Sequence, residues 1–274
     1  MARLLITGAS GPIGTALLAS FGLGADPGAF EVVRLVRGRA QGASQITWDP
    51  LAALPPATVS GFVAVIHLAG ESVMGRWTPE KKKAIRDSRV LGTRNLATAL
   101  AKAAIKPSVL VCASAVGFYG NRGDEILRED SASGQGFLAE VCREWEDASH
   151  VAADAGIRTV NLRTGLVLSP KGGALPQMLT PFRLGLGGRV GSGRQWWSWI
   201  HIDDMVGAIQ HALRTESLSG PVNAVAPNAA RNTDFTKMLA SVLNRPAFLP
   251  VPEFALRAAL GKMAACLLYT SRCV

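Results

Sequence analysis

Long apolar runs, closely spaced cysteines and clusters of metal-binding side chains are scarce in this 274-residue sequence. The longest stretch without a charged residue, 51–70, contains Pro55, Pro56 and Gly61. A membrane-spanning helix needs about 20 predominantly apolar residues, and proline and glycine interrupt this stretch. We therefore interpret it as a loop followed by a buried strand, and we expect no association with a membrane.

The cysteines, Cys112, Cys142, Cys266 and Cys273, show no paired spacing. No signal peptide precedes the first predicted strand, which begins almost at the first residue. We therefore expect reduced thiols and a cytoplasmic location. No group of His, Cys, Asp and Glu has the spacing of a metal site, so no metal is predicted.

The formal net charge is +9, but the Lys and Arg residues are scattered along the chain. The one dense basic run, 81–83, lies in a predicted helix that also carries Glu80 and Asp87, which is typical of a solvated face. A nucleic-acid surface shows a basic stripe with interleaved aromatic residues, and this sequence has none. Anionic small molecules, phosphates included, are the partners that we expect, and no nucleic acid.

The most informative stretch begins at residue 4, where an apolar strand breaks into glycines and a helical pattern follows. Gly8 lets the chain turn off the strand, Gly11 leaves room for a pyrophosphate, and Gly14 lets the helix pack close to the sheet. The free N–H groups at the start of the helix favour phosphates. The predicted cofactor-binding residues of this loop are Gly8, Ser10, Gly11, Pro12, Ile13 and Gly14. The alternative is a plain tight turn without a ligand.

Two arginines, Arg37 and Arg39, follow the second predicted strand, at the end that faces the adenosine ribose of a bound dinucleotide. An acidic residue there would accept from the ribose hydroxyls of NAD, whereas arginine suits the extra phosphate of NADP. NADP is therefore the predicted cofactor and NAD the less favoured one, with a solvated strand end as the alternative. Two further sites are predicted to contact the cofactor, Asp49 at the adenine edge and the small residues Leu68, Ala69 and Gly70 after the fourth strand.

Strand patterns alternate with helical ones along the first half of the chain, with strands predicted at 4–6, 31–37, 45–49, 62–70, 108–114 and 158–163. This alternation is typical of an α/β fold with a doubly wound parallel sheet, the Rossmann arrangement, with ligands at the carboxyl ends of the strands. We predict a dinucleotide-binding core at 1–165 and, at 166–274, mostly a small substrate lobe. The segment 200–225 is predicted to return to the core.

Local signals predict where two of the helices begin. Thr78 stands before a proline, the residue favoured at the first helical position. Asp203 or Asp204 is expected to cap a helix that starts at about Met205, and His201 to pin a loop through a hydrogen bond.

Three tryptophans, Trp196, Trp197 and Trp199, stand close together before that helix. Aromatic side chains line sites for planar or sugar-like substrates, and they also pack between lobes. The sequence leaves both alternatives open.

Six segments spread over most of the chain carry a family resemblance, at 7–14 (TGASGPIG), 66–70, 92–96, 118–120, 162–165 and 200–204. Together they resemble the extended short-chain dehydrogenase/reductase superfamily, the group of NAD(P)-dependent sugar epimerases and dehydratases. The segments 75–79, 114–120 and 193–201 (GRQWWSWIH) look more closely like its atypical branch of YfcH-type epimerase-family proteins. The residues from about 264 onward do not resemble the family's continuation.

The resemblance implies an NADP-type cofactor and a catalytic Tyr-x-x-x-Lys pair, in which the Lys lowers the pKa of the Tyr and holds the ribose. Leu138 and Cys142 stand at the expected positions, so the pair is missing. The remaining catalytic candidates are Ser114 and Tyr119, the hydroxyls near the end of the fifth strand. The alternative for Ser114 is that it caps a turn, and the alternative for Tyr119 is that it packs above the sheet.

Three classes of function follow from these observations. The first is an NADP-dependent epimerase or oxidoreductase with unusual proton chemistry, an unknown small-molecule substrate and a homodimer as a possible assembly. The second is an NADP-binding, redox-responsive module with little or no catalysis, which the missing pair favours. The third, a nucleic-acid binder that exploits the positive charge, is disfavoured by the absence of a basic stripe.

Overall fold

The computed structural model describes residues 2–23, 30–268 and 271–274. The strands in chain order are β1 Ala2–Thr7, β2 Phe30–Val36, β3 Gln45–Thr47, β4 Ala64–His67, β5 Val109–Ala115, β6 Ile126–Leu127, β7 Arg158–Thr164, β8 Leu166–Leu168, β9 Trp196–Trp197, β10 Trp199–His201, β11 Gly220–Ala224, β12 Ala230–Arg231 and β13 Arg272–Cys273. The helices are α1 Pro12–Leu23, α2 Pro79–Ala101, α3 Phe137–Asp154, α4 Ala174–Arg183, α5 Ile202–Arg214, α6 Asn232–Leu243, α7 Glu253–Leu260 and α8 Ala264–Leu268.

Seven of these strands form one parallel sheet in the order β11-β7-β5-β4-β1-β2-β3. The chain first runs outward from β1 to β3 and then crosses back, so that β4 lies on the other side of β1. The strand order therefore reverses between β1 and β4, and in such sheets ligands bind in the crevice at the carboxyl ends of the strands at that point. The predicted doubly wound Rossmann fold is confirmed.

The core has two layers because successive strand residues face opposite sides of the sheet. On β1, Leu4 and Ile6 are buried with Leu17 of α1 and Met205 of α5. Leu5 is buried on the other face together with residues of α2 and α3, namely Leu96, Leu100 and Trp145. Helices on both faces explain why residues 4–6 of β1 are continuously apolar rather than alternating.

The start of α2 is as predicted. Thr78 is extended and its side chain accepts a hydrogen bond from the Lys81 N–H at 3.2 Å, which satisfies one of the unpaired donors at the helix N-terminus. The predicted start of α5 is wrong, because that helix begins at Ile202 rather than near residue 205. His201 is its N-cap, with Nδ1 accepting from the Asp203 N–H at 3.3 Å, so neither aspartate caps the helix.

Part of the chain after residue 165 contributes to the core, and the rest lies outside it. Strand β11 extends the main sheet beside β7, and α5 contributes Met205 and Ile209 to the core. The helices α4, α6 and α7 follow residue 165, and none of their described residues belongs to the two core layers of the sheet. The last strand, β13, pairs in parallel with β6, while residues 269 and 270 of the unusual tail lie outside the described residues.

In the described part of the chain, no helix is both long enough and apolar enough to cross a membrane.

Candidate functional site

The turn between β1 and α1 needs glycine at two positions for packing reasons. Gly8 has a φ of +70°, and a β-carbon there would lie 2.5 Å from the Leu68 carbonyl carbon. At Gly14 a β-carbon would lie 2.5 Å from the Gly8 oxygen and 2.6 Å from the Ala9 Cα. Gly14 therefore allows α1 to approach the backbone of its own turn, whereas the sequence suggested an approach to the sheet.

Gly11 differs from both. A β-carbon at Gly11 would meet only the Gly8 oxygen, at 3.4 Å, which is an ordinary contact. Packing within the described protein therefore does not require glycine here, and the space beside Gly11 stays open. Ser10 and Pro12 next to it are exposed and Ile13 is half-buried, so the predicted loop residues surround one open edge at the start of α1. This is the cradle that a pyrophosphate needs.

A second loop is held against this turn. The Leu68 N–H donates to the Thr7 carbonyl at 3.1 Å, and the Ala69 N–H donates to the Thr7 hydroxyl at 3.2 Å. The predicted residues Leu68, Ala69 and Gly70 are therefore placed next to Gly8 by the end of β1.

His67, for which the sequence predicted no role, anchors this arrangement from below. Its Nδ1 lies 2.7 Å from the Thr7 hydroxyl and its Nε2 lies 2.9 Å from the Thr93 hydroxyl of α2. Burial lowers the pKa of His67 to about 4. The imidazole is therefore neutral at physiological pH and connects β1, β4 and α2.

On the other side of β1, a cleft of about 670 Å³ lies at the ends of β2 and β3. Arg37, Asp49 and Glu71 are among its lining residues. The structure thus brings together Arg37 and Asp49, two of the predicted residues, and leaves Arg39 exposed outside the lining. One oxygen of Asp49 accepts from the Leu51 N–H at 2.9 Å, so this carboxylate also closes a local turn.

Glu71 is an acidic group of this cleft that the sequence reasoning missed. Its carboxylate pairs with the Lys81 ammonium at 2.6 Å. The hydrogen bond from Lys81 lowers the pKa of Glu71 most, and the charges of Arg37 and Arg89 lower it further. The negative charge of Glu71 is therefore already balanced by basic neighbours.

The two catalytic candidates lie in one buried hydrogen-bond network. The Ser114 hydroxyl donates to Glu146 Oε1 at 2.6 Å. Glu146 forms two hydrogen bonds with Arg163, each of 2.9 Å. Arg163 Nη1 donates to the Tyr119 hydroxyl at 2.9 Å, and that hydroxyl donates to Asn223 Oδ1 at 2.7 Å. Ser114 and Tyr119 are thus connected through an ion pair between α3 and β7.

The electrostatics of this network do not favour Tyr119 as a base. Burial raises its pKa, and the hydrogen bond from Arg163 offsets only part of that rise. Burial also lowers the pKa of Arg163, but the hydrogen bonds to Glu146 and Tyr119 outweigh that effect and leave it above its usual value. A proton-transfer tyrosine at neutral pH needs the opposite shift. The catalytic role of either hydroxyl stays a prediction.

Apolar side chains stand at the two positions where the family resemblance led us to expect a Tyr-x-x-x-Lys pair. Leu138 and Cys142, one turn apart on α3, face Gly117, where an added β-carbon would lie 3.4 Å from the Leu138 Cβ and 3.7 Å from the Cys142 Sγ. Burial raises the pKa of Cys142 to about 12, so its thiol is neutral and inert at neutral pH. Leu138 packs in a cluster that contains Trp77 and Met263.

The tryptophans divide between two environments. Trp197 is buried and its ring lies 5.0 Å from that of Phe235, so it is a packing residue. Trp196 donates to the Asp124 carboxylate at 2.7 Å and lies under the guanidinium of Arg231 at 4.5 Å.

Glu146, Arg163 and Arg89 are residues of the site region to which the sequence reasoning assigned no role. A signal existed for Arg163, because it is the last residue of the strand predicted at 158–163, and ligands bind at the carboxyl ends of parallel strands. Within the ranges that the structure describes, no group of three His, Cys, Asp or Glu side chains could hold a metal ion.

A parallel sheet with a glycine turn at its switch point defines a Rossmann-type protein. The profile described as "NAD dependent epimerase/dehydratase family" matches residues 4–225. The chain therefore belongs to this epimerase family, which confirms the resemblance inferred from the sequence.

Individual relatives support this assignment. Epimerase family protein Mb2239 of Mycobacterium bovis is 41% identical over 265 residues, covering 96% of this chain and 86% of that protein. The crystal structure of human epimerase family protein SDR39U1 (isoform 2) with NADPH has a TM-score of 0.89 at 35% identity, covering 99% of this chain and 90% of the human one. The nucleoside-diphosphate sugar epimerase from Corynebacterium glutamicum has a TM-score of 0.77 at 40% identity, covering 98% of this chain and 59% of that one.

Proposed function

We propose that this protein binds NADP(H) and is an epimerase- or oxidoreductase-like member of the extended short-chain dehydrogenase group that lacks the usual Tyr-x-x-x-Lys pair. The observation that carries the proposal is the open space at Gly11. The packing of the protein does not require a glycine at this position. Arg37 in the adjacent cleft supports NADP over NAD. The human relative crystallised with NADPH supports the same cofactor.

The residues fit the cofactor in three places. The turn from Gly8 to Gly14 would hold the pyrophosphate, Arg37 the 2′-phosphate, and the loop 68–70 the backbone of the dinucleotide. When bound, the nicotinamide supplies hydride exchange, and the protein supplies binding and orientation.

Slow turnover is part of the proposal. General acid–base catalysis is worth about 10²–10⁴ in rate, and Leu138 and Cys142 provide neither a proton donor nor a cation. The hydroxyl of Ser114 already donates to Glu146, and burial raises the pKa of Tyr119. We therefore expect slow or absent reaction with ordinary nucleotide sugars, even with the cofactor bound.

The second candidate is a redox-responsive binding module with little or no catalysis. It is favoured by the burial of Ser114 and Tyr119 in an ion-pair network, which gives both hydroxyls a structural role. A module of this kind would distinguish NADP⁺ from NADPH by affinity rather than convert a substrate.

The experiment is a nicotinamide absorbance assay on the purified protein with a panel of nucleotide sugars, aldehydes and ketones, preceded by titration with NADPH. We expect binding of NADPH with slow or absent turnover. Any residual activity should fall in Ser114→Ala or Tyr119→Phe. Robust turnover of a nucleotide sugar would contradict the low-activity proposal. Activity unchanged by both substitutions would place the chemistry elsewhere, with the exposed His201 as the next candidate.

A further inference from the structure

Arg89 of α2 is a half-buried cation whose charge lowers the pKa of the nearby Glu71, although Glu71 forms its salt bridge with Lys81. Its Nη1 donates to two backbone carbonyls, those of Glu71 at 2.9 Å and Ile85 at 3.2 Å. In the described ranges no carboxylate lies within salt-bridge distance of the guanidinium, and no protein acceptor is hydrogen-bonded to Nε or Nη2. A guanidinium has five N–H donors, so several of them are left for a ligand.

The position of this guanidinium is defined from two sides. A β-carbon added at Gly70 would lie 3.2 Å from the Arg89 Cζ and 3.3 Å from Nη2, so the charge faces the loop after β4. On the other side it lies over the Trp145 ring of α3, at 5.1 Å from the centroid. Trp145 is one turn from Cys142, and the Arg89 charge lowers the pKa of that thiol against the larger effect of burial.

The sheet order determines which half of a dinucleotide Arg89 would meet. The two halves of the cofactor lie on opposite sides of the switch point. Arg37 follows β2 on one side of β1, whereas Gly70 and Gly117 follow β4 and β5 on the other side. Cys142 of α3 lies beside Gly117. Arg89 therefore accompanies the nicotinamide half, next to the α3 position where a Lys is missing.

We propose that Arg89 binds the nicotinamide ribose of NADP(H) through its free N–H groups and so supplies, from α2, the cation that α3 lacks. This inference rests on the proposed binding of NADP(H). The planar guanidinium can donate two parallel hydrogen bonds to neighbouring hydroxyl oxygens, and Arg keeps its charge in a partly buried site. A side chain at position 70 would contact the guanidinium, so Gly70 lets Arg89 lie directly against the cofactor loop.

The test compares two ligands in calorimetric titrations, one with and one without the nicotinamide half of the cofactor. NADPH contains the nicotinamide ribose, whereas adenosine 2′,5′-bisphosphate lacks that half and keeps the 2′-phosphate. We expect Arg89→Met to weaken NADPH binding about tenfold or more and to leave the binding of adenosine 2′,5′-bisphosphate unchanged. Arg89→Lys should recover part of the loss, and Arg37→Ala should weaken both ligands.

Arg86→Met is the matched control, because Arg86 lies one turn earlier on α2, is exposed, and pairs with Glu144 of α3. It should bind both ligands as the unmutated protein does. Equal weakening of both ligands by Arg89→Met, or no weakening of NADPH by a variant with a normal melting temperature, would overturn the inference about Arg89 alone. Failure of the unmutated protein to bind NADPH would overturn the proposed function and this inference together.

Discussion

Arg37 is the side chain on which we expect the choice between the two nicotinamide cofactors to depend. It lies in the lining of the cleft beside β2 and β3, where the ribose of a bound adenosine would face it. A charge-assisted hydrogen bond to a phosphate is worth about 1.5–3 kcal/mol. We predict that Arg37→Ala weakens NADPH binding about tenfold or more and leaves NADH binding nearly unchanged, as measured by fluorescence titration.

Arg39→Ala is the control for that measurement, because Arg39 is exposed and does not line the cleft. This substitution should weaken NADPH binding less than Arg37→Ala does. Equal affinity of the unmutated protein for NADH and NADPH would show that the arginines at the end of β2 do not select the phosphate.

Glu146 and Arg163 form the best-buried ion pair of the site region, with side chains exposed by only 9% and 4%. Removing one partner of a buried pair leaves an uncompensated charge, at a typical cost of about 3–5 kcal/mol. We predict this loss in the free energy of unfolding for Glu146→Leu and for Arg163→Met, measured by urea denaturation. The double variant should lose less than the sum, because neither charge then stays buried alone.

The exposed pair of Arg86 and Glu144 is the comparison. Exposed ion pairs contribute about 0–1 kcal/mol, so substituting either residue should change the unfolding free energy by no more than that. Similar losses at the two pairs would mean that burial does not determine the contribution of the Glu146–Arg163 pair.

At the scale of one element, the turn between β1 and α1 separates a packing role of glycine from a binding role. Gly14→Ala should destabilise the protein, because its β-carbon would contact the backbone of Gly8 and Ala9, and overpacking costs about 1–3 kcal/mol. Gly11→Val should fold normally, because its β-carbon meets only an ordinary contact, and should lose cofactor binding. Thermal denaturation and NADPH titration of both variants check the two halves of this prediction.

Gly207→Ala on α5 is the matched control, since nothing lies within 4 Å of an added β-carbon there. It should leave binding unchanged and should not destabilise the protein, because alanine is favoured over glycine in a helix by about 1 kcal/mol. Normal NADPH binding by Gly11→Val would mean that the turn after β1 does not bind the cofactor.

At the scale of the whole molecule, the buried His67 links stability to pH. Its pKa is about 4 in the folded protein against 6.5 for an exposed imidazole. Between these values the unfolded chain binds the proton and the folded one does not, so stability falls as the pH falls below 6.5. The difference between the two pKa values lowers the free energy of unfolding by about 3 kcal/mol when both states are protonated, and by about 2 kcal/mol at pH 5.

We predict that the unfolding free energy of the unmutated protein drops by about 2 kcal/mol between pH 7 and 5, and that His67→Gln removes most of the drop. Restricting the urea titrations to pH 5 and above limits the contribution of carboxylates. The proton resonance of the ring provides a check without a substitution, and a titration midpoint near 6.5 would contradict the prediction.

Local signals in the sequence determined much of this molecule. The turn glycines, the Thr78 cap and the alternation of apolar strands with helices depend on neighbouring residues, so the sequence was sufficient to predict the Rossmann fold, the open turn at Gly11 and the start of α2. Local signals were insufficient at α5, because a histidine, which is an uncommon N-cap, took the role expected of an aspartate.

The tertiary structure alone decided which charged and polar side chains meet. Ser114 reaches Glu146 across 32 residues of sequence, and Arg163 reaches Tyr119 across 44. Arg89 comes to lie between Gly70 and Trp145 only after α2 and α3 pack on the same face of the sheet. No periodicity encodes such pairs, because a hydrogen bond between distant segments depends on strand order and helix packing, which the whole chain determines together.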